Sequence, residues 1–174
     1  MRFPIIILLF VIVVACCSPS LPSLKSAAEQ GDVDAQVQLA ERYFVGDRVA
    51  FDQTKAAYWF KKAGEQGHQY GFYRLGQIYE FGQGVTPDIH LAARYYEKAA
   101  RLNGAGAQEA LARLHVSGGL GEKDFLTGYM WQLLAMRHNG LMFQASNFGA
   151  EKHLTVVERQ EAERAAQDIA EEFR

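Results

Sequence analysis

Cysteine is almost missing from this chain: its 174 residues hold two, the neighbours Cys16 and Cys17. Adjacent and near one end, they cannot staple distant parts of a core, so stability has to come from packing. An excess of one charge is missing too, with 18 Lys and Arg against 20 Asp and Glu. The formal net charge of −2 removes the simplest case for nucleic-acid binding, which draws on a basic excess to neutralise phosphates. The five histidines form no His-x-x-x-His pair and stand near no cysteine, so metal-ligand spacing is absent. No Gly-x-Ser-x-Gly elbow surrounds Ser117, and neither Gly84 nor Gly119 leads into Gly-Lys-Ser/Thr. Neither a serine nucleophile nor a phosphate loop is indicated. The chain does carry apolar material, 49% hydrophobic and 12% aromatic against 22% charged, which suits a globular core and excludes disordered or collagen-like composition.

Long apolar runs are also lacking. The apolar run at residues 3–15, after the single basic residue Arg2, is short. As a helix that run spans about 20 Å, short of the ~30 Å of a bilayer core, so a secretory h-region fits better than a transmembrane anchor. It ends in Val13-Val14-Ala15-Cys16, which resembles the lipobox of bacterial lipoproteins. That resemblance implies acylation at Cys16 and removal of residues 1–15; an ordinary cleaved signal and an uncleaved anchor are the other readings. Cys17 is the weaker acceptor, because Cys16 rather than Ala15 would precede it. By analogy with lipoprotein sorting, Cys17 after the acylated residue implies the outer membrane, with the folded part facing the periplasm. Residues 16–22 read as a short tether, since Ser18-Pro19-Ser20-Leu21-Pro22-Ser23 is small, polar and proline-rich. Loss of Arg2 leaves 17 basic residues against 20 acidic ones, a net −3 with nothing polybasic to assist docking on a membrane.

The rest of the chain repeats. Leu39, Leu75 and Leu111 are spaced by 36, as are Gly46, Gly82 and Gly118, and Asp52, Asp88 and Asp124. Trp59, Tyr95 and Trp131 form an aromatic column, Ala63, Ala99 and Ala135 a small one, and Tyr43 and Tyr79 another that His115 breaks. The column Gly31, Gly67, Asn103, Asn139 carries the register back by half a unit. Each unit reads as two helices. Ala35, Leu39 and Tyr43 step by four along a first helix, A, which the glycine column ends in a left-handed turn. The aspartate column caps a second helix, B, where Ala56 with Ala63 and Ala92 with Ala99 permit close approach of a neighbour. Trp59 reads as core, packed between adjacent repeats, and Trp59→Ala should cost about 3 kcal/mol or more. Past Asn139 the pattern dissolves. Thr155-Val156-Val157-Glu158 is a capping box, and Val157, Ala162, Ala165, Ile169 and Phe173 recur at helical spacing in a polar-faced last helix.

Position by position this resembles the Sel-one-like repeat family, relatives of tetratricopeptide repeats. The resemblance is carried by Ala35-Gln36, Leu39, Tyr43, Gly46, Asp52, Lys55-Ala56, Trp59, Lys62-Ala63 and Gln66-Gly67 in the first unit. Leu75-Gly76, Tyr79, Gly82-Gln83-Gly84-Val85, Asp88, Ala92, Tyr95-Tyr96 and Lys98-Ala99-Ala100 carry it in the second. The third unit departs at His115, Gly119 and Gly128. The fold expected is an all-α, right-handed α/α solenoid: a half-repeat at 23–31, three full units to 139, and a carboxy-terminal cap over 140–174.

With no catalytic grouping and no cofactor indicated, the chain reads as a non-enzymatic, lipid-anchored envelope scaffold whose partner is another envelope protein or peptide. An envelope enzyme acting on peptidoglycan or another cell-wall substrate is the alternative; an RNA reader is opposed by the charge and the export signal. The resemblance implies that A helices line the concave side. Two rows of differing chemistry fall there, Gln38 with Arg74, and Glu41 with Gln77 and Arg113. Tyr73 beside Arg74 pairs an aromatic ring with a guanidinium, as at interface hot spots, so these two are the expected anchors and the other four the polar surround. The segment from Met142-Phe143 to Phe148 is the second choice.

Overall fold

The computed structural model describes residues 20–139 and 149–172; Cys16, the tether up to Pro19 and the Met142 to Phe148 segment lie outside them. The described residues form eight α-helices and one 3-10 turn with no strand. Helix α1 (Leu21–Glu29) is the half-repeat. Helices α2 (Val33–Val45), α4 (Gln69–Phe81) and α6 (Ala105–Ser117) are the A helices; α3 (Gln53–Glu65), α5 (Ile89–Arg101) and α7 (Phe125–Asn139) are the B helices. After a 3-10 turn at Ala150–His153, α8 (Val156–Glu172) packs on α7. Each helix lies against its chain neighbour across a short connection, the contact pattern of a solenoid of antiparallel hairpins.

The loop chemistry is that read from the columns. Gly46, Gly82 and Gly118 are left-handed at φ 78°, 66° and 78°, ending the three A helices. Asp52, Asp88 and Asp124 each accept from the backbone N–H three residues on, at 2.9 Å. The irregular third loop closes as the others do: the His115 carbonyl accepts from Asp124 N–H at 3.0 Å, where Tyr43 and Tyr79 accept from Asp52 and Asp88. In the loop column of Arg48 and Gly84 both residues have positive φ, and only Gly84 does so without a Cβ penalty.

Three expectations need correction. Helix α1 starts at Leu21, inside the stretch read as tether, because Ser20 caps it and Pro22 falls in the first turn, where its missing N–H costs nothing. The fully buried aromatic column lies one residue beyond Trp59 and Tyr95: Phe60 and Tyr96 are enclosed, while Trp59 and Tyr95 are half-buried. Tyr96 reaches so far inward that a Cβ on Gly76 would stand 2.4 Å from its ring. Trp59 lies at a seam, shared with Tyr43 between the small cluster around Leu24 and Leu39 and the main core. Finally, Val157 points to solvent. Helix α8 buries Ala162 and Ala166, with Ile169 and Ala170 against the main core. Its capping box forms as expected, Thr155 N–H donating to Glu158 Oε2 at 2.7 Å and Glu158 N–H to Thr155 Oγ1 at 3.3 Å.

Candidate functional site: a groove between two A helices

Successive A helices are stapled by carboxylates. Glu41 on α2 accepts from Arg74 Nε at 3.0 Å and from the Tyr70 hydroxyl at 2.7 Å, both on α4. Glu80 on α4 accepts from Arg113 on α6 at 2.6 Å and from the Tyr96 hydroxyl on α5 at 2.7 Å. Each acid precedes its arginine by 33 residues, one helical turn short of the repeat, so each acid meets a base that stands about one turn earlier along the next A helix.

These staples change the role of the expected anchors. Arg74 is 14% exposed: its guanidinium is held by Glu41, donates to Gln77 Oε1 at 2.8 Å, and lies 4.2 Å from the Phe44 ring centroid. It is consumed in holding α2 to α4 and is not an exposed anchor. Glu41 is committed to the same staple. Gln77 also donates to the Tyr73 hydroxyl at 3.0 Å, fixing that ring. Gln38 is exposed on α2. Cys16 lies outside the described residues.

Between α4 and α6 the surface opens into two adjoining pockets of 320 and 230 Å³ that share Tyr73 and Gly106. The larger is lined by Gln77, Glu80, Phe81, Glu109 and Arg113 as well; the smaller by Gln69, Tyr70 and the first turn of α6. The groove therefore unites Tyr73, Gln77 and Arg113 from the expected set. Arg74, Glu41 and Gln38 do not line it. Gly106 leaves the groove one side chain wider, since a Cβ there would rest on the Tyr73 ring at 3.4 Å in ordinary van der Waals contact. Sequence reasoning passed over Gly106, Tyr70 and Glu80; the 33-residue acid-to-base spacing was the available signal for Glu80.

The electrostatics hold the staples together. Burial first, and then the Glu41 carboxylate, push the Tyr70 phenol up to about 12, and burial followed by Glu80 raises Tyr96 further. Both hydroxyls keep their protons and donate. Glu80, 8% exposed, has both oxygens engaged by Tyr96 and Arg113 and is a structural acceptor. Among the described residues no three His, Cys, Asp or Glu side chains gather as a metal site would need, and no helix is long and apolar enough to cross a membrane.

Comparison with known proteins matches the first two full units to a repeat family. Residues 33–68 and 73–104 match the Sel1 repeat. The chain is 33% identical over 91 residues to the ERAD-associated E3 ubiquitin-protein ligase component HRD3A of Arabidopsis thaliana, covering 52% of this chain and 12% of that protein. It thus spans a small part of that relative's length. Among solved structures, the Sel1 repeat protein from Oxalobacter formigenes superposes with a TM-score of 0.63 at 33% identity, over 77% of this chain and 96% of that one. A protective antigen of uropathogenic Escherichia coli strains with an SLR fold gives 0.64 at 26% identity, over 86% of this chain and 40% of the other.

Proposed function

From the premise that this chain belongs to the Sel1 repeat family, we propose that it is a lipid-anchored scaffold of the bacterial cell envelope, held to the outer membrane through Cys16 and binding a protein or peptide segment in the α4–α6 groove. The observation that carries the binding role is the groove itself: two pockets meeting at Tyr73 and Gly106, with the partly exposed Arg113 guanidinium in its wall. A preformed groove that sets aromatic rings beside polar and charged side chains suits recognition of a peptide segment. The naming of HRD3A as a component of a ligase is consistent with a Sel1 repeat acting by assembly. The anchor rests on the Val13-Val14-Ala15-Cys16 sequence. Acyl chains on one cysteine bind at ~0.8 kcal/mol per buried CH₂, so several together make release negligible.

Two measurements test this. A photoreactive residue at Gln69, exposed at the groove, should capture a defined partner in cells, whereas one at Glu97, exposed on a B helix, should not; equal capture from both would remove the groove from the account. Metabolic lipid labelling should be lost in Cys16→Ala, and undiminished label would refute the anchor.

A further inference from the structure

Five of the nine most exposed large apolar side chains among the described residues gather at one edge of the solenoid, each 62–72% exposed. Val45 and Phe81 end α2 and α4 at the same repeat position. Phe51 precedes the Asp52 cap, and its equivalent before Asp88 is the exposed Pro87. The first turn of α3 touches the second loop: Thr54 Oγ1 donates to the Gly84 carbonyl at 3.4 Å, and a Cβ on Gly84 would stand 2.5 Å from Gln53 Cβ. Val156 and Val157 belong to the same edge. The His153 ring just before them stacks on Phe125, the first residue of α7, with centroids 4.1 Å apart, and α7 starts at the loop edge as every B helix does.

The amino-terminal chain joins the fold at this edge as well. Helix α1 is a half-repeat of B type, so its first turn stands beside the loop, and Leu21 shares a cluster with Tyr43, whose carbonyl closes the first loop on Asp52. From Cys16 to Ser20 the chain can reach at most about 14 Å. We propose that this loop edge rests on a lipid bilayer, with Val45, Phe51, Phe81, Val156 and Val157 seated among the headgroups. The proposal rests on the lipid-anchor reading of Cys16 and adds the orientation of the solenoid on the membrane.

A surface tethered this closely meets the bilayer at high effective concentration, so a modest apolar gain holds it there. Charges near the rim are mixed: Asp47 stands beside Arg48, and Lys55 pairs with Asp52 at 2.7 Å. The contact is therefore apolar and insensitive to salt or anionic lipid. Helix axes run away from this edge, so the α4–α6 groove meets the bilayer only at its Phe81 end and opens sideways to the aqueous space above it.

The test uses the full chain, processed in cells, in a Cys17→Ser background, reconstituted into phosphatidylethanolamine–phosphatidylglycerol vesicles. Spin labels are placed singly by V45C, F81C and V157C at the rim, and by E65C and R101C at the opposite edge. Collision with oxygen against an aqueous nickel complex should put the rim labels within about 5–10 Å of the headgroup–acyl boundary and leave the other two in water. Co-flotation with rim labels as aqueous as the controls overturns the orientation alone. Rim labels shielded from both reagents mean that a protein covers the edge, which also overturns it. Failure to float overturns the anchor and this proposal together.

Discussion

Removing one hydroxyl by Tyr96→Phe should cost more than any other single-oxygen deletion in the stapling network. Tyr96 is 1% exposed, and its hydroxyl donates at 2.7 Å to a Glu80 side chain that is itself nearly enclosed. A hydrogen bond to a charged group contributes about 1.5–3 kcal/mol. Arg113 still holds the other oxygen, so the carboxylate is not abandoned, and the expected loss is about 2 kcal/mol. For a chain of this size that lowers the thermal midpoint by roughly 4–8 °C. Tyr70→Phe supplies the control. It deletes the same kind of bond, also 2.7 Å long, but Tyr70 is 39% exposed and water can replace it, so the loss stays below about 1 kcal/mol. The alkaline limb adds a second readout. Burial and then the neighbouring carboxylates raise both phenols above their ordinary value of 10.0, Tyr70 to about 12, so the folded state holds these protons more tightly than the unfolded chain. That stability is fully present below pH 10 and is lost as pH rises through the folded values. Tyr96→Phe should therefore flatten the alkaline fall in the urea midpoint. If Tyr96→Phe costs no more than Tyr70→Phe at neutral pH, burial does not set the strength of these staples and the reasoning fails.

Other perturbations follow from the loops and the core. Arg48→Gly should raise the urea midpoint by the equivalent of about 1 kcal/mol, because Arg48 sits at φ 58° where Gly84 serves in the next repeat; an unchanged midpoint would mean no strain there. Asp124→Ala should cost about 1 kcal/mol by uncapping α7. Burial alone would raise the Asp124 carboxyl, but the Thr127 bonds and His115 outweigh it and hold the carboxyl below 3.8, so its contribution is present above that value and lost as pH falls through the folded one; circular dichroism of the acid limb in wild type and variant checks it. Phe60→Ala should cost about 3–5 kcal/mol and Trp59→Ala distinctly less, since only Phe60 is enclosed; the reverse order in denaturant midpoints would contradict the core assignment.

The repeat was legible because its elements are fixed by local chemistry recurring at one offset. A glycine that must be left-handed and an aspartate that must cap leave identical marks in each copy, so Gly118 and Asp124 could be placed even where His115 replaces tyrosine. Side-chain rotation about the helix axis leaves a weaker mark. Trp59 and Phe60 are both aromatic, and the pattern favoured the larger one, whereas Gly76 beneath Tyr96 decides which neighbour points inward. The site was read least well, since exposure depends on partners in other repeats. Arg74 looked free until Glu41, 33 residues earlier, was found beside it, and Gly106 gained meaning only from the Tyr73 ring opposite.

The central claim, that the α4–α6 groove holds the partner, is tested most directly by filling the groove from Gly106. Gly106 is exposed, and the atoms nearest to a Cβ there belong to the Tyr73 ring, so Gly106→Leu should occupy the opening without entering the core, while Gly106→Ala controls for helix propensity, worth up to about 1 kcal/mol. With the photoreactive residue at Gln69, Gly106→Leu should lose partner capture at a thermal midpoint no lower than that of the unsubstituted chain, and Gly106→Ala should retain most of it. Full capture by a folded Gly106→Leu chain would contradict the claim.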